Sequence, residues 1–430
     1  MKVLILAHGT RGDVQPYAAL ALALQRAGHQ AVLAAPAASA ALAESHGLAF
    51  TPVHDGPNTL IDDPRIRQAI ETNYRGLAGK KAALQVMRAS KPLMARVFAD
   101  MVAAAFDTAS GTGPYDLVVH GPSIPGHRIA EELGVPAVPA LLQPMWVPTD
   151  AFPNPMLPIR LPHRFNRATY LPFKLMLRPF GAIADKSLNL PNRRGRHDFL
   201  RRPDGGPATV LHGFSRHLLP PGAGYPASVH TTGFWYLPAA PAWTPPTELT
   251  RFLEQGPPPV YIGFGSMAGT DPARIGRIVA EAITLARVHA VVVSGWGGIA
   301  VDDLLDTLPD QVIALKEAPH DWLFPRMAAI VHHGGSGTTG AALASGRPQV
   351  ICPFVADQPF WAARAHAAGI APAPQPQRHL TPHGLAEAIG RAVTDPAMSK
   401  RAEQLAAAVS EEAGVTTAVT VLESLTVRRT

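Results

Sequence analysis

Short, continuous apolar runs alternate with longer amphipathic stretches along most of this chain. Lys2–Ala7, Gln30–Ala35, Leu48–Pro52, Asp116–His120 and Ala137–Leu141 read as strands, followed by shorter ones near Ala208–His212 and Ser228–Thr231. Between them the apolar residues recur at three- and four-residue spacing. That predicts helices over Pro16–Ala27, stopped by Gly28, Ala38–His46, stopped by Gly47, Lys80–Asp107, and Ile124–Leu133, stopped by Gly134. The alternation restarts after residue 246. Strands are expected at Val260–Phe264, Ala290–Ser294, Val312–Leu315, Ala329–Val331 and Gln349–Cys352. Helices are expected at Pro272–Ala286, from near Gly337, at Thr381–Thr394, and from Ala397 to the C-terminus. Strands alternating with helices in this way predict α/β architecture with parallel, doubly wound sheets.

Two interruptions divide the pattern. Phe234–Pro246 holds four prolines and no periodicity, as an inter-domain linker would. With 430 residues, two domains are the natural division. The expected units are a first Rossmann-like domain over 1–233, the linker over 234–246, a second Rossmann-like domain over 247–405, and a helical tail over 406–430 that could pack back on the first domain. The other interruption, Gln143–Arg202, is rich in proline, aromatics, Met and Arg. It reads as a structural excursion that also lines an acceptor cleft, with Trp146, Phe152 and Met156 as candidate contacts. A membrane-contacting flap is the less favoured alternative. The cluster Arg193, Arg194, Arg196, Arg201 and Arg202 is most simply a solvated face.

Composition narrows the function. Hydrophobic residues make up 47%, enough for two cores, and the formal charge of +6 suits anionic ligands or an anionic surface. No basic run carries interleaved aromatics or a nucleic-acid module, which argues against nucleic acid as a partner. The single cysteine, Cys352, excludes an internal disulfide and reads as a buried, inert thiol. Val3–Ala7 runs straight into polar loop residues, as a first strand does and a signal peptide does not. No apolar run of transmembrane length is free of prolines or charges. A cytoplasmic chain is expected, with peripheral membrane contact and oligomeric state left open.

Candidate chemistry lies in two stretches. In the second half, Ala329–Val331 feeds His332-His333-Gly334-Gly335-Ser336-Gly337-Thr338-Thr339 and then a helix. Free backbone N–H groups, hydroxyls and a histidine at the positive end of a helix dipole suit an anion. The next strand delivers Asp357 and Gln358 to the same sheet edge, where open α/β sheets bind ligands. A diphosphate on the loop and hydroxyls on the Asp-Gln pair would make the ligand a nucleotide sugar. Ser266 and Trp296 lie in two further small-residue loops, and Trp296 and Trp322 could pack near the base or sit in the core. In the first half, strand one ends in His8-Gly9-Thr10-Arg11-Gly12-Asp13 without the Gly-x-Gly-x-x-Gly spacing of dinucleotide sites. Asp13 just before a helix is more often a cap than a base. Facing a donor across the cleft, it would instead be placed to deprotonate an acceptor hydroxyl. His8 could tune or replace it, or be an ordinary loop histidine. No Asp-x-Asp metal motif occurs, so His333, the Thr338 hydroxyl and the loop amides would have to stabilise the leaving diphosphate.

The stretches Pro319–Pro325, His332–Thr339, Pro353-Phe354 and Asp357–Trp361 together resemble the donor signature of nucleotide-sugar-dependent glycosyltransferases. The likeness is to the sterol 3β-glucosyltransferase branch and to bacterial natural-product glycosyltransferases. Gly9–Pro16 is similar to that group's N-terminal motif, and Thr232–Leu237 to the segment before its linker. The resemblance implies a GT-B fold, two Rossmann-like domains facing across a cleft, with metal-free inversion at the anomeric carbon. It implies Asp13 as base, His333 and Thr338 on the diphosphate, and Asp357 and Gln358 on sugar hydroxyls. Ala318, His320 and their neighbours would lie by the uridine or thymidine, and Thr10, Arg11, Gly12, Gly335, Ser336 and Gly337 would complete the donor set. Ser336 stands where many relatives have Ala, and His120–Ser123 lacks the Asp that partners a catalytic histidine in plant relatives.

The expected activity is transfer of a hexose, with a tilt toward glucose, from UDP-glucose or a dTDP-sugar to a hydroxyl of an apolar aglycone such as a sterol-like lipid, a polyketide or macrolide, or a phenol. No other cofactor is expected. A nucleotide-sugar epimerase or hydrolase would consume donor without acceptor, and a silent nucleotide-sugar-binding partner protein would lack a base or a donor loop.

Overall fold

The computed structural model describes residues 1–60, 76–106, 114–157, 159, 161–188, 198–265, 271–295, 299–300 and 302–426. Two all-parallel sheets carry the fold. The first has seven strands in the order β3-β2-β1-β4-β5-β6-β7: β1 Lys2–Leu6, β2 Gln30–Pro36, β3 Ala49–Val53, β4 Leu117–His120, β5 Ala137–Leu141, β6 Val210–His212 and β7 Val229–Thr231. The second has five in the order β10-β9-β8-β11-β12: β8 Val260–Gly263, β9 Ala290–Val293, β10 Val312–Leu315, β11 Ala329–His332 and β12 Gln349–Ile351. β1 pairs with β2 and β4, and β8 with β9 and β11, so each strand order reverses beside its own first strand. That reversal opens the crevice in which doubly wound sheets place ligands. β1, β4, β8 and β11 are almost wholly buried, which is why they read as unbroken apolar runs.

Helices cover both sheets: α1 Arg11–Arg26, α2 Ala40–Ser45, α3 Gly76–Phe106, α4 Gly126–Leu133, α5 Leu171–Ser187, α6 Thr247–Glu254, α7 Pro272–Ala286, α8 Asp302–Thr307, α9 His320–Leu323, α10 Ser336–Ala344, α11 Gln358–Ala367, α12 Pro382–Thr394, α13 Pro396–Ser410 and α14 Gly414–Thr426. α6, α8, α9 and α11 are not among the expected helices, and the first and the C-terminal helices differ from the sequence reading. α1 begins at Arg11, with Pro16 inside it, because Thr10 and Asp13 form a capping box that starts the helix five residues before the proline. The expected C-terminal helix is two, α13 and α14, parted at Ala413, whose φ of 49° is left-handed. As one span, Pro396–Thr426 would have the length and apolarity to cross a membrane. Its helices of 15 and 13 residues are each shorter than the roughly 20 that a crossing needs.

The two halves are packed together. Phe152, Phe214, Leu218 and Leu219 of the first join Leu343, Trp361, Ala365 and Ile370 of the second in one buried cluster, with Val409 of α13. Arg364 donates to the carbonyls of Leu218 and Leu219 at 2.8 and 3.1 Å. α14 crosses back: Ala418, Val419 and Leu422 sit in the first domain's core beside α1. The segment after residue 233 is irregular as expected, yet its start is buried. Phe234 belongs to the inter-domain cluster and Trp235 to the first core. Aromatic bulk at Phe234-Trp235 outweighs the proline content behind it.

Candidate active site

The first loop is shaped by its helix start. Thr10 is the N-cap of α1, and the Asp13 Oδ2 accepts from the Thr10 backbone N at 2.9 Å and from its hydroxyl at 3.1 Å. The carboxylate lies under Gly9, whose φ is 139°. A Cβ there would stand 2.4 Å from Oδ2, so glycine is required for the loop to close over the acid. Both bonds fall on one oxygen, and Oδ1 has no hydrogen-bond partner among the described residues. Burial raises the pKa of Asp13, opposed by the two Thr10 bonds. Thr10, not Asp13, is therefore the N-cap; Asp13 is the third helical residue and closes the capping box from there, which leaves its Oδ1 without a partner among the described residues.

Among the described residues no hydrogen bond links His8 to Asp13. Its ring lies against Gly56, where a Cβ would meet Nε2 at 2.7 Å, and burial lowers its pKa. Arg11 is exposed and pairs with Glu317 of the second half. Gly12 borders a cavity of about 30 Å³ between the halves, lined also by Leu142, Phe234, Tyr236, Ser336 and Gly337. The N-termini of α1 and α10 thus meet at one place.

In the second loop Gly335 caps α10, and Ser336, Gly337 and Thr338 form its first turn. Ser336 spends its hydroxyl on the Leu142 carbonyl at 2.9 Å, across the domain boundary. It thus ties the halves together from the turn that the sequence reading gave to the donor. The two histidines divide the work. His332 is fully buried, its Nε2–H donating to Gln349 Oε1 (2.9 Å) while its Nδ1 accepts from Gly334 N at 3.0 Å. His333 keeps Nδ1 buried with no partner among the described residues, and burial lowers its pKa to about 4. It is a neutral imidazole near pH 7, positioned between Gly265 and Gly335, at either of which a Cβ would stand within 3.2 Å of its ring.

Asp357 and Gln358 open α11. Asp357 Oδ2 accepts from the Trp361 indole at 2.8 Å, and Gln358 Oε1 accepts from the backbone of Phe354 and Val355 at 2.8 and 3.2 Å. The indole partner of Asp357 could have been anticipated from the i, i+4 spacing at a helix start. The Asp357 pKa is pushed up to about 6, first by burial and also by the negative charge of Asp13, while the Trp361 bond opposes it. That coupling brings the two carboxylates to the same region from opposite domains. His320, first residue of α9, stacks on Phe324 at 4.2 Å between centroids and is held neutral by burial, at about 4, with Arg11 and His333 adding to the shift. Ala318 is half-buried in the cluster beneath it.

Other candidates lie elsewhere. Trp322 packs edge-on against Trp243, with Arg326 over its face at 4.2 Å. Phe152 is buried against Phe360, 5.2 Å away, in the inter-domain cluster. Trp146 packs beside Val147 and Phe199 with its indole N–H buried and unpartnered among the described residues, and Met156 is exposed. Cys352 is buried and its thiol pushed up to about 12, an inert group as expected. Arg201 and Arg202 are exposed. Ser266, Trp296, Arg193, Arg194 and Arg196 lie outside the described residues.

Residues 3–124 match the family model described as glycosyltransferase family 28 N-terminal domain, and residues 284–425 that of the erythromycin biosynthesis protein CIII-like C-terminal domain. The chain is 34% identical over 450 residues to O-mycaminosyltylonolide 6-deoxyallosyltransferase of Streptomyces fradiae, covering 100% of this chain and 99% of that one. It is 33% identical over 429 residues to the sterol 3-beta-glucosyltransferase UGT80A2 of Arabidopsis thaliana, covering 97% of this chain but 64% of the plant protein. Among solved structures, the glycosyltransferase VinC in complex with dTDP aligns over 100% of both chains with a TM-score of 0.66 at 22% identity. The kitacinnamycin glycosyltransferase aligns over 99% of this chain and 98% of its own with a TM-score of 0.69 at 18% identity. Both show the same fold, GT-B, with two Rossmann-like domains.

Proposed function

The chain belongs to the glycosyltransferase family that these relatives represent, and on that premise we propose that it moves a hexose from a UDP- or dTDP-sugar to a hydroxyl of an apolar aglycone, with Asp13 as general base and no metal ion. The observation that carries this reading is the meeting of the two loops: Gly12 and Ser336-Gly337 border one cavity, and the charge of Asp13 is felt at Asp357. The donor diphosphate lies at the N-terminus of α10, on its free amides, the Thr338 hydroxyl and His333. Sugar hydroxyls are met by the groups that Asp357 and Gln358 do not use in holding their own loop.

The acceptor oxygen attacks the anomeric carbon as the bond to the diphosphate breaks, and its proton passes to Asp13. Burial favours this role, because a carboxylate with a raised pKa is a stronger base than an exposed one. His333, neutral before the donor binds, offers a hydrogen bond without carrying a charge that would need its own counter-ion. Glucose suits the hydroxyl-reading pair, and the sterol and macrolide chemistry in the relatives' names supports an apolar, hydroxylated acceptor. The 30 Å³ cavity holds about one water. Binding and release of a nucleotide sugar require the two domains to move about the segment after residue 233.

The test is a mass-spectrometric screen of UDP- and dTDP-sugars against hydroxylated sterols, macrolides and phenols. One added hexose on an acceptor supports the proposal. Donor consumed at the same rate without acceptor would instead identify a hydrolase or epimerase.

A further inference from the structure

The surface of the first domain carries a feature outside the two loops that meet at the candidate site. Of the ten large hydrophobic side chains that stand exposed among the described residues, seven fall between residues 156 and 176, with Leu171 at 55% and Met176 at 54%. Such a concentration is unusual for a surface, where exposed apolar residues are ordinarily scattered singly. The segment is not loose chain. Asn166 donates to the Asp150 carbonyl at 2.7 Å, the Thr169 hydroxyl accepts from Asn154 N at 2.8 Å, and the Tyr170 hydroxyl donates to the Phe152 carbonyl at 3.3 Å. These buried polar anchors hold the apolar side chains outward.

α5 shows the same division. Leu177, Phe180 and Ile183 turn inward, with Phe180 edge-on to Phe98 of α3. Leu171, Lys174 and Leu175, at i, i+3 and i+4, share an outward face of its first turns. The charge on this segment has one sign. Between residues 156 and 188 stand six basic residues, Arg160, Arg164, Arg167, Lys174, Arg178 and Lys186, and one acidic residue, Asp185. Asp185 is buried against Arg128 at 2.9 Å and presents no charge outward. Arg167 and Lys174 meet Asp150 and Asp198 at the surface, in exposed pairs that contribute little and exchange readily. Arg164 lies over the Phe165 ring at 4.9 Å, an apolar and a cationic group presented together.

From this combination we infer that residues 156–176 with the first turns of α5 form a docking face for a bilayer surface bearing anionic headgroups. Leu161, Phe165, Leu171, Leu175 and Met176 enter the headgroup–acyl boundary, and Arg164, Arg167 and Lys174, the described basic residues exposed among them, meet the lipid charge. A rigid, anchored platform is suited to this, since little order is lost on contact. The same excursion adjoins the inter-domain cluster through Phe152, so a chain resting on this face holds its cleft near apolar molecules dissolved in the bilayer.

Flotation of the full chain with vesicles tests this without reference to glycosyl transfer, so it stands or falls separately from the proposed reaction. The chain should float with phosphatidylcholine–phosphatidylglycerol vesicles and not with phosphatidylcholine alone, and the bound fraction should fall with added salt. Leu171→Ser with Leu175→Ser, and separately Arg164→Glu with Arg167→Glu, should each weaken partitioning about tenfold or more. All four positions are exposed, and an unchanged Tm would confirm that the variants fold. The inference is overturned if wild type fails to float with anionic vesicles, or if the leucine changes leave flotation intact. It is overturned equally if ultracentrifugation shows a self-associating chain whose dimer the leucine changes abolish, since the face is then covered by a second copy.

Discussion

Asp13 has two jobs, and replacing it by Asn separates them. Structurally, one oxygen accepts two bonds from Thr10 and closes the capping box of α1. Asn keeps an oxygen in that place, so the cost to stability should be about 1 kcal/mol or less, and Ala, which removes it, should cost about 1 kcal/mol. Removal of a general base lowers turnover by about 10²- to 10⁴-fold, equivalent to roughly 3–5 kcal/mol of transition-state stabilisation. The gap between the two magnitudes decides the matter. The assay pairs kcat/KM, on whichever donor and acceptor the screen identifies, with Tm for wild type, Asp13→Asn and Asp13→Ala. A loss of activity far beyond the loss of stability, similar in both variants, supports a base. If Asp13→Asn turns over within about threefold of wild type, Asp13 is a cap alone and the proposed mechanism fails.

The pH profile checks the same residue. Burial raises its pKa above the ordinary 3.8, and a base must be ionised. The acid limb of kcat/KM should therefore lie above that value, with activity lost as pH falls through it. Stability runs the other way: the folded state holds the proton more tightly than the unfolded, so the contribution of a neutral Asp13 is complete below 3.8 and lost as pH rises through the raised value.

Further expectations follow from neighbouring contacts. Asp357, raised from 3.8 to about 6, should make the free protein lose up to about 3 kcal/mol as pH rises across that window, and Asp357→Asn, which keeps an acceptor for Trp361, should flatten the curve of denaturant stability against pH. Ser336→Ala removes the bond to the Leu142 carbonyl and should cost about 1 kcal/mol in stability while changing dTDP or UDP affinity less than Thr338→Ala does, as calorimetric titration would show. Gly340→Ala would place a Cβ 2.6 Å from the Phe234 ring, and the overpacking should lower stability by about 1–3 kcal/mol in chemical unfolding.

The sheets were legible because burial on both faces writes itself as an apolar run, and because Gly28, Gly47 and Gly134 punctuate the helices at left-handed positions. Where the sequence misled, a local rule met a competing one. Pro16 is a familiar helix opener, but Thr10 and Asp13 start the helix first, and that signal, Thr-x-x-Asp, was present to be read. The prolines after Pro238 marked a linker correctly as irregular, but said nothing of Phe234 and Trp235, whose burial depends on residues far away in sequence.

The candidate site shows the same limit in sharper form. Residue types and order brought out the His-Gly-Gly loop, the Asp-Gln pair and the first loop, since each is local. Their use of particular atoms is not local. That Ser336 turns to Leu142, that Arg11 pairs with Glu317, and that His8 leans on Gly56 are consequences of how two domains and distant loops meet. These contacts also alter the chemistry. Ser336, placed in the donor set by the sequence, also ties the halves together through its bond to the Leu142 carbonyl. A diphosphate held in the first turn of α10 would lie beside Gly12, at the start of the helix whose Asp13 carries the free Oδ1.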